Sequence, residues 1–130
     1  MDELIEIFKA DFENNHQNRE YSYEEGLQMF IKYIADGHPY INLDKVIIAT
    51  STKDDVCTFH CINGGSGKDL TEAVNKFLGM VKAEKILRAV TYYDNVRINK
   101  IVHFVEFPFQ ITKINDGIDR TYQLTFYLED

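Results

Sequence analysis

The chain has 130 residues, with 14 Lys and Arg against 21 Asp and Glu, a formal charge of −7. That length suits a single domain over residues 1–130 built on one core, and 45% hydrophobic with 27% charged residues is a globular rather than a disordered balance. The acidic excess argues against nucleic acid and against anionic membrane surfaces as partners, because both are recognised by basic patches. No apolar run approaches the roughly 18 residues a membrane span needs. The opening segment, MDELIEIFKADFENN, is acidic and amphipathic and lacks the character of a signal or transit peptide, so a cytoplasmic protein is expected.

Taken in chain order, Leu4, Ile7, Phe8 and Phe12 recur at helical spacing and predict an amphipathic helix from Glu3 to about Asn14. The polar run 14–20 predicts a loop. Ser22 and Glu25 form a capping-box pair ahead of the stripe Leu27, Phe30, Ile31 and Ile34, which Gly37 and Pro39 bring to an end. The period then changes. Val46 to Thr50, a turn at Lys53-Asp54-Asp55, and Val56 to Asn63 predict an antiparallel hairpin. After the cluster Gly64-Gly65-Ser66-Gly67, the residues Leu70, Val74, Phe77, Leu78 and Val81 mark a helix of about four turns. Ile86 to Tyr93 predicts a strand, and Val96 to about Glu106 a short helix with Asp94 as its cap. Phe109 to Ile114, a turn at Asn115-Asp116-Gly117, and Arg120 to Leu128 predict a closing hairpin, with Tyr122, Leu124, Phe126 and Leu128 on one face. The expected order is α-α-β-β-α-β-α-β-β. It implies a mixed, mostly antiparallel α/β sheet with helices on both faces, and parallel strands around the third helix.

Cys57 and Cys61 lie four apart on one predicted strand, about 13 Å from each other at roughly 3.3 Å per residue, with His60 on the opposite face. That is too far for a disulfide or a shared metal ion, so buried structural thiols are expected. His16, His38 and His103 cluster with nothing that suggests a metal site.

The glycine cluster is the best site candidate. A glycine turn opening a helix lets backbone approach an anion where amides and the helix dipole are positive, and Lys68 adds a charge there. The competing expectation is a tight strand-to-helix turn that needs positive φ and binds nothing. The loop is not a P-loop: Ile62 replaces the first glycine, and Asp69 stands where the Mg²⁺-binding hydroxyl belongs. Nor is it a dinucleotide fingerprint, since Leu70 takes the place of the last glycine.

The element order resembles the GCN5-related (GNAT) superfamily of N-acetyltransferases over almost the whole chain. The superfamily's loop, Arg/Gln-x-x-Gly-x-Gly/Ala, is matched by Ile62-Asn63-Gly64-Gly65-Ser66-Gly67, with both glycines kept and Ile in the first position. Phe104 to Phe109 is similar to its Tyr-x-x-x-Gly-Phe segment, with Phe104 for Tyr and Pro108 for Gly. Asn95 matches the asparagine that contacts the pantetheine arm. The resemblance implies acetyl-CoA as cofactor, its pyrophosphate held by residues 62–67 and Lys68, and transfer of acetyl to an amine on a small molecule or protein.

Catalysis of that kind needs a base for the amine and an acid for the leaving thiolate. Phe104 has no proton to give. His60 and Tyr93 lie near the expected cleft and supply an imidazole and a phenol, against the plainer expectation of a hydrogen-bonded sheet histidine and a half-buried strand tyrosine. The alternative is a non-catalytic acetyltransferase-like module that binds a protein partner, for which an Asn-, Asp-, Ile-, Lys- and Tyr-rich composition suggests a bacteriophage virion or host-interaction protein.

Overall fold

A computed structural model describes residues 2–14, 21–93, 103–114 and 122–129. Helices α1 (Asp2–Asn14) and α2 (Tyr23–Ala35) precede strands β1 (Tyr40–Leu43), β2 (Val46–Lys53) and β3 (Val56–Asn63). Helix α3 (Gly67–Ala83) leads to β4 (Arg88–Tyr93), and β5 (Phe109–Lys113) and β6 (Tyr122–Tyr127) follow. The strands form one sheet in the order β1-β2-β3-β4-β6-β5, antiparallel throughout except for the parallel β3–β4 pair.

Strand alternation divides the apolar residues between two layers. Val46 and Ile48 of β2, with Cys57, Phe59 and Cys61 of β3, face α3 and meet Val74, Phe77 and Leu78. The intervening Ile47 and Ile62 face the other way, onto Leu4, Ile7 and Phe8 of α1 and Phe30 of α2. Helices therefore cover both faces. Ser22 caps α2 with the expected box, its hydroxyl accepting from the Glu25 amide at 3.2 Å. Cys57 and Cys61 are buried thiols that do not form a disulfide, and burial pushes the Cys57 thiol above its ordinary range.

Two elements differ from expectation. Tyr40–Leu43 is an additional edge strand, joined to β2 through a turn in which Asp44 takes φ 57°, a conformation that Asp tolerates better than most residues. The short helix expected to reach Glu106 is not helical where it is described. Residues 103 and 104 form a turn, and 105–108 are irregular with a bend at 107, Val105 and Phe107 packed against the α3-side core. Positions 94–102, including Asn95, Arg97 and Lys100, lie outside the described residues, as do the expected turn 115–117 and most of the loop 14–20.

Candidate functional site

Parallel pairing of β3 with β4 spans three positions only: Val56↔Arg88, Cys57↔Ala89 and Thr58↔Val90. Beyond them β3 continues to Asn63 along β2, and β4 continues to Tyr93 along β6. The carboxyl halves of the two strands, 59–63 and 91–93, are thus each paired outward and not with one another. A crevice opens between them, and β3 leads from its rim straight into the glycine loop.

The loop is braced from both sides. Asp11, a buried carboxylate on α1, accepts the Asn63 amide at 3.0 Å, and the Gly64 amide donates to the Lys45 carbonyl at 2.8 Å. Asn63 folds the turn upon itself: its Oδ1 accepts from the Gly65 amide at 2.9 Å, and its Nδ2 donates to the Ser66 carbonyl at 3.1 Å. Ser66 then caps α3. Its hydroxyl accepts the Asp69 amide at 3.2 Å, and Asp69 Oδ2 accepts both the Ser66 amide at 2.8 Å and the Ser66 hydroxyl at 2.9 Å. These bonds from Ser66, with Lys45 and Lys68 nearby, hold the Asp69 carboxyl below its ordinary pKa.

No loop glycine takes a positive φ; among the described glycines that conformation belongs to Gly37. The competing expectation of a positive-φ turn is therefore not met, and at Gly64 and Gly65 the constraint is steric. A Cβ on Gly64 would lie 3.0 Å from Ile7 Cα, and one on Gly65 would lie 2.5 Å from Asp69 Oδ2. Gly67 has nothing within 4 Å of the Cβ position, so it alone faces open space. The amides of Gly67 and Lys68, the first two of α3, have no acceptor among the described residues. They are the donors that an incoming anion would meet. Lys68 is exposed and reaches Glu72 at 3.9 Å. A cleft of about 250 Å³ lies beside the loop, between the β1–β2 turn and α3, with Lys45 and Lys76 set against Asp44, Asp69 and Glu72. Its mixed charge selects no ligand of one sign.

His60 falls in the part of β3 that has left β4, exposed on the α1 and α2 face opposite Ala49. Tyr93 ends the part of β4 that has left β3. Sequence reading passed over Tyr92, which is exposed beside the crevice. The register places it with His60: Thr58 and Val90 are paired, and two residues further along each strand are His60 and Tyr92, on the same face. Asp69, which the sequence marks as a departure from a P-loop, proves to be the capping partner that the Ser66-x-x-Asp69 pattern specifies. Ile62 is buried against α1 and has no part in the crevice rim. The carboxyl ends of β3 and β4, with residues 63–68 following β3, thus lie at the end of the sheet where the two strands part, and His60 and Tyr92 are exposed there. Among the described residues no group of three or more His, Cys, Asp or Glu is placed to hold a metal ion, and no helix is long and apolar enough to cross a membrane.

No protein-family profile and no curated protein matches the sequence. Solved structures do. A GNAT-family acetyltransferase from Bacillus anthracis aligns over 97% of this chain and 92% of its own, with a TM-score of 0.58 and 12% identity. The PaiA N-acetyltransferase from Thermoplasma acidophilum, in complex with coenzyme A, gives 0.56 over 97% and 91%, at 10% identity. A putative acetyltransferase from Salmonella typhimurium, solved with its cofactor acetyl-CoA, gives 0.55 over 98% and 87%, at 13% identity. These likenesses show the fold of GNAT acetyltransferases. The bacteriophage connection suggested by composition finds no counterpart among these three.

Proposed function

We propose that the chain is an acetyl-CoA-dependent N-acyltransferase. The observation that carries this reading is the parting of β3 and β4 beyond Thr58 and Val90, at the rim where the glycine loop and the open start of α3 stand. A sheet continuous across that point would have no place for a pantetheine arm. Two proteins of similar fold hold coenzyme A or acetyl-CoA, which supports the same ligand here. The pyrophosphate lies on the Gly67 and Lys68 amides, and the arm enters the crevice.

In the reaction the amine nitrogen attacks the thioester carbon, the C–S bond breaks, and the proton lost by the amine is balanced by one gained at sulfur. His60 receives the first; imidazoles as a class titrate near neutrality. The phenols of β4, at Tyr92 and Tyr93, lie on the strand that can supply the second. The site departs from the acetyltransferase pattern at Phe104, which has no proton to give, and in the anion loop: Ile62 brings no charge, and the amides of Gly64, Gly65 and Ser66 are already bonded within the protein. That favours, as a second reading, a module of the same fold that binds a partner without catalysis.

Thermal unfolding with and without acetyl-CoA separates the two. At a concentration of 100 times Kd, binding stabilises by about 2.7 kcal/mol, and Gly67→Glu, which places a carboxylate at the open amides, abolishes the gain. Absence of any shift in the wild-type protein at millimolar acetyl-CoA leaves the non-catalytic reading.

A further inference from the structure

The α3 face of the sheet has two coverings. Helix α3 lies over β2 and β3. The segment 104–108 lies beside it, with Val105 and Phe107 half-buried against the core and the Pro108 carbonyl accepting from Tyr127 of β6 at 2.9 Å. One covering therefore lies on the β3 side of the parting, and the other reaches β6 at Tyr127, opposite Arg88 of β4. A side chain of α3 ties the two together by hydrogen bonds. Asn75 of α3 donates from Nδ2 to the Phe104 carbonyl at 3.0 Å, and its Oδ1 accepts the Glu106 amide at 2.9 Å. The amide group bonds the C=O and N–H of an irregular segment 29 and 31 residues away.

The height of this tie is also fixed. Asn75 precedes by two residues Phe77, whose ring meets Phe59 at 5.0 Å. Phe59 is the first residue of β3 beyond Thr58, the last position paired with β4. Asn75 thus ties α3 to the 104–106 segment near the level at which β3 and β4 part. At about 1.5 Å per residue it lies roughly 12 Å along α3 from the Gly67 amide, well away from the anion end.

We propose that Asn75 is a positioning residue that sets the width of the crevice at its floor, and so governs the acyl-pantetheine arm while leaving the phosphate end untouched. The inference rests on the acetyl-CoA reading above. It calls for no contact between Asn75 and the ligand: the side chain holds residues 104–106 in place, and they hold the wall. An amide is suited to this because it offers one donor and one acceptor in a plane, matching both backbone groups at once.

The test compares two ligands on the intact protein by titration calorimetry: acetyl-CoA, and 3′-phospho-ADP, which carries the phosphates without the arm. Asn75→Ala is expected to weaken acetyl-CoA about tenfold, equivalent to about 1.4 kcal/mol, and to leave 3′-phospho-ADP within about twofold, on the reasoning that only one ligand reaches the floor. Hydrogen exchange at the Glu106 amide accelerates in the same variant. If Asn75→Ala does not fold, Asn75→Asp carries the test, since it keeps the shape and the acceptor but loses the donor to Phe104. A wild-type protein that binds both ligands, with variants that lose both alike or neither, overturns this inference alone. A wild-type protein that binds neither overturns the acetyl-CoA reading and this inference with it.

Discussion

Replacing Gly64 and Gly67 with alanine, one at a time, should have opposite consequences. A Cβ at Gly64 meets Ile7 Cα at 3.0 Å and Ile7 Cγ2 and O at 3.1 Å. Carbon atoms in good contact sit about 3.5–4.0 Å apart, so the new methyl intrudes by roughly half an ångström on three atoms, two of them backbone. The backbone of α1 cannot turn aside as a side chain would, and the Gly64 amide is held by Lys45 on the other side. Overpacking of this kind costs about 1–3 kcal/mol. At Gly67 the methyl enters open space and φ is not left-handed, so alanine there lowers the entropy of the unfolded chain and stabilises by about 0.4–1 kcal/mol. Urea unfolding followed by circular dichroism measures both, and the variants should differ by about 1.5–4 kcal/mol. A Gly64→Ala protein as stable as wild type, or a Gly67→Ala protein that loses more than about 1 kcal/mol, would refute the steric account of the loop.

Phe77→Ala removes a ring that is 1% exposed and packed against Phe59; chemical denaturation should show a loss of about 3–5 kcal/mol, and a loss below about 1 would misplace the core. Asp69 has a depressed pKa, so its contribution to stability is present above its unfolded value near about 3.9 and disappears as pH falls through the folded value. The stability difference between wild type and Asp69→Asn should accordingly be constant above about pH 5 and shrink below about pH 4; a difference that grows on acidification contradicts the capping role. The same neutral variant should bind acetyl-CoA more tightly, because a fixed carboxylate no longer faces the incoming phosphates, and calorimetry showing equal or weaker binding would place the anion elsewhere. Cys57 and Cys61, buried with the Cys57 pKa raised by desolvation, should react with a thiol reagent at pH 8 only slowly until the protein is unfolded; rapid modification of the native protein would mean that the α3-side core opens.

What the sequence discloses about this fold depends on how local the stabilising contacts are. Helices α2 and α3 carry their apolar stripes and caps within 20 residues, and the β2–β3 hairpin carries its turn between its strands, so each is readable from its own segment. Strand β1 is only four residues long, directly after Pro39, and its partner is β2; nothing inside Tyr40–Leu43 distinguishes it from a loop. The segment 103–108 misleads in the other direction. Val102 and Val105 fit a helical period, yet Val105 and Phe107 are the half-buried pair packed against the core, an alternation of two that only the core position settles. The candidate site divides the same way. The glycine loop and the residues flanking it were visible as a cluster, whereas the parting of β3 and β4 was not, because each strand keeps an unbroken β pattern and merely changes which neighbour it bonds. Tyr92 and Asn75 acquire their importance from register and height across the crevice, properties that belong to no single stretch of chain.

The central claim is that acetyl-CoA enters between β3 and β4 with its phosphates on the start of α3. An amide-resolved NMR titration of the full chain with acetyl-CoA tests it directly. The account predicts saturable shifts at Gly67 and Lys68 and along 59–63 and 91–93, with the paired positions 56–58 and the edge strand β1 little changed. Shifts confined to other surfaces, or none at millimolar ligand, would contradict it.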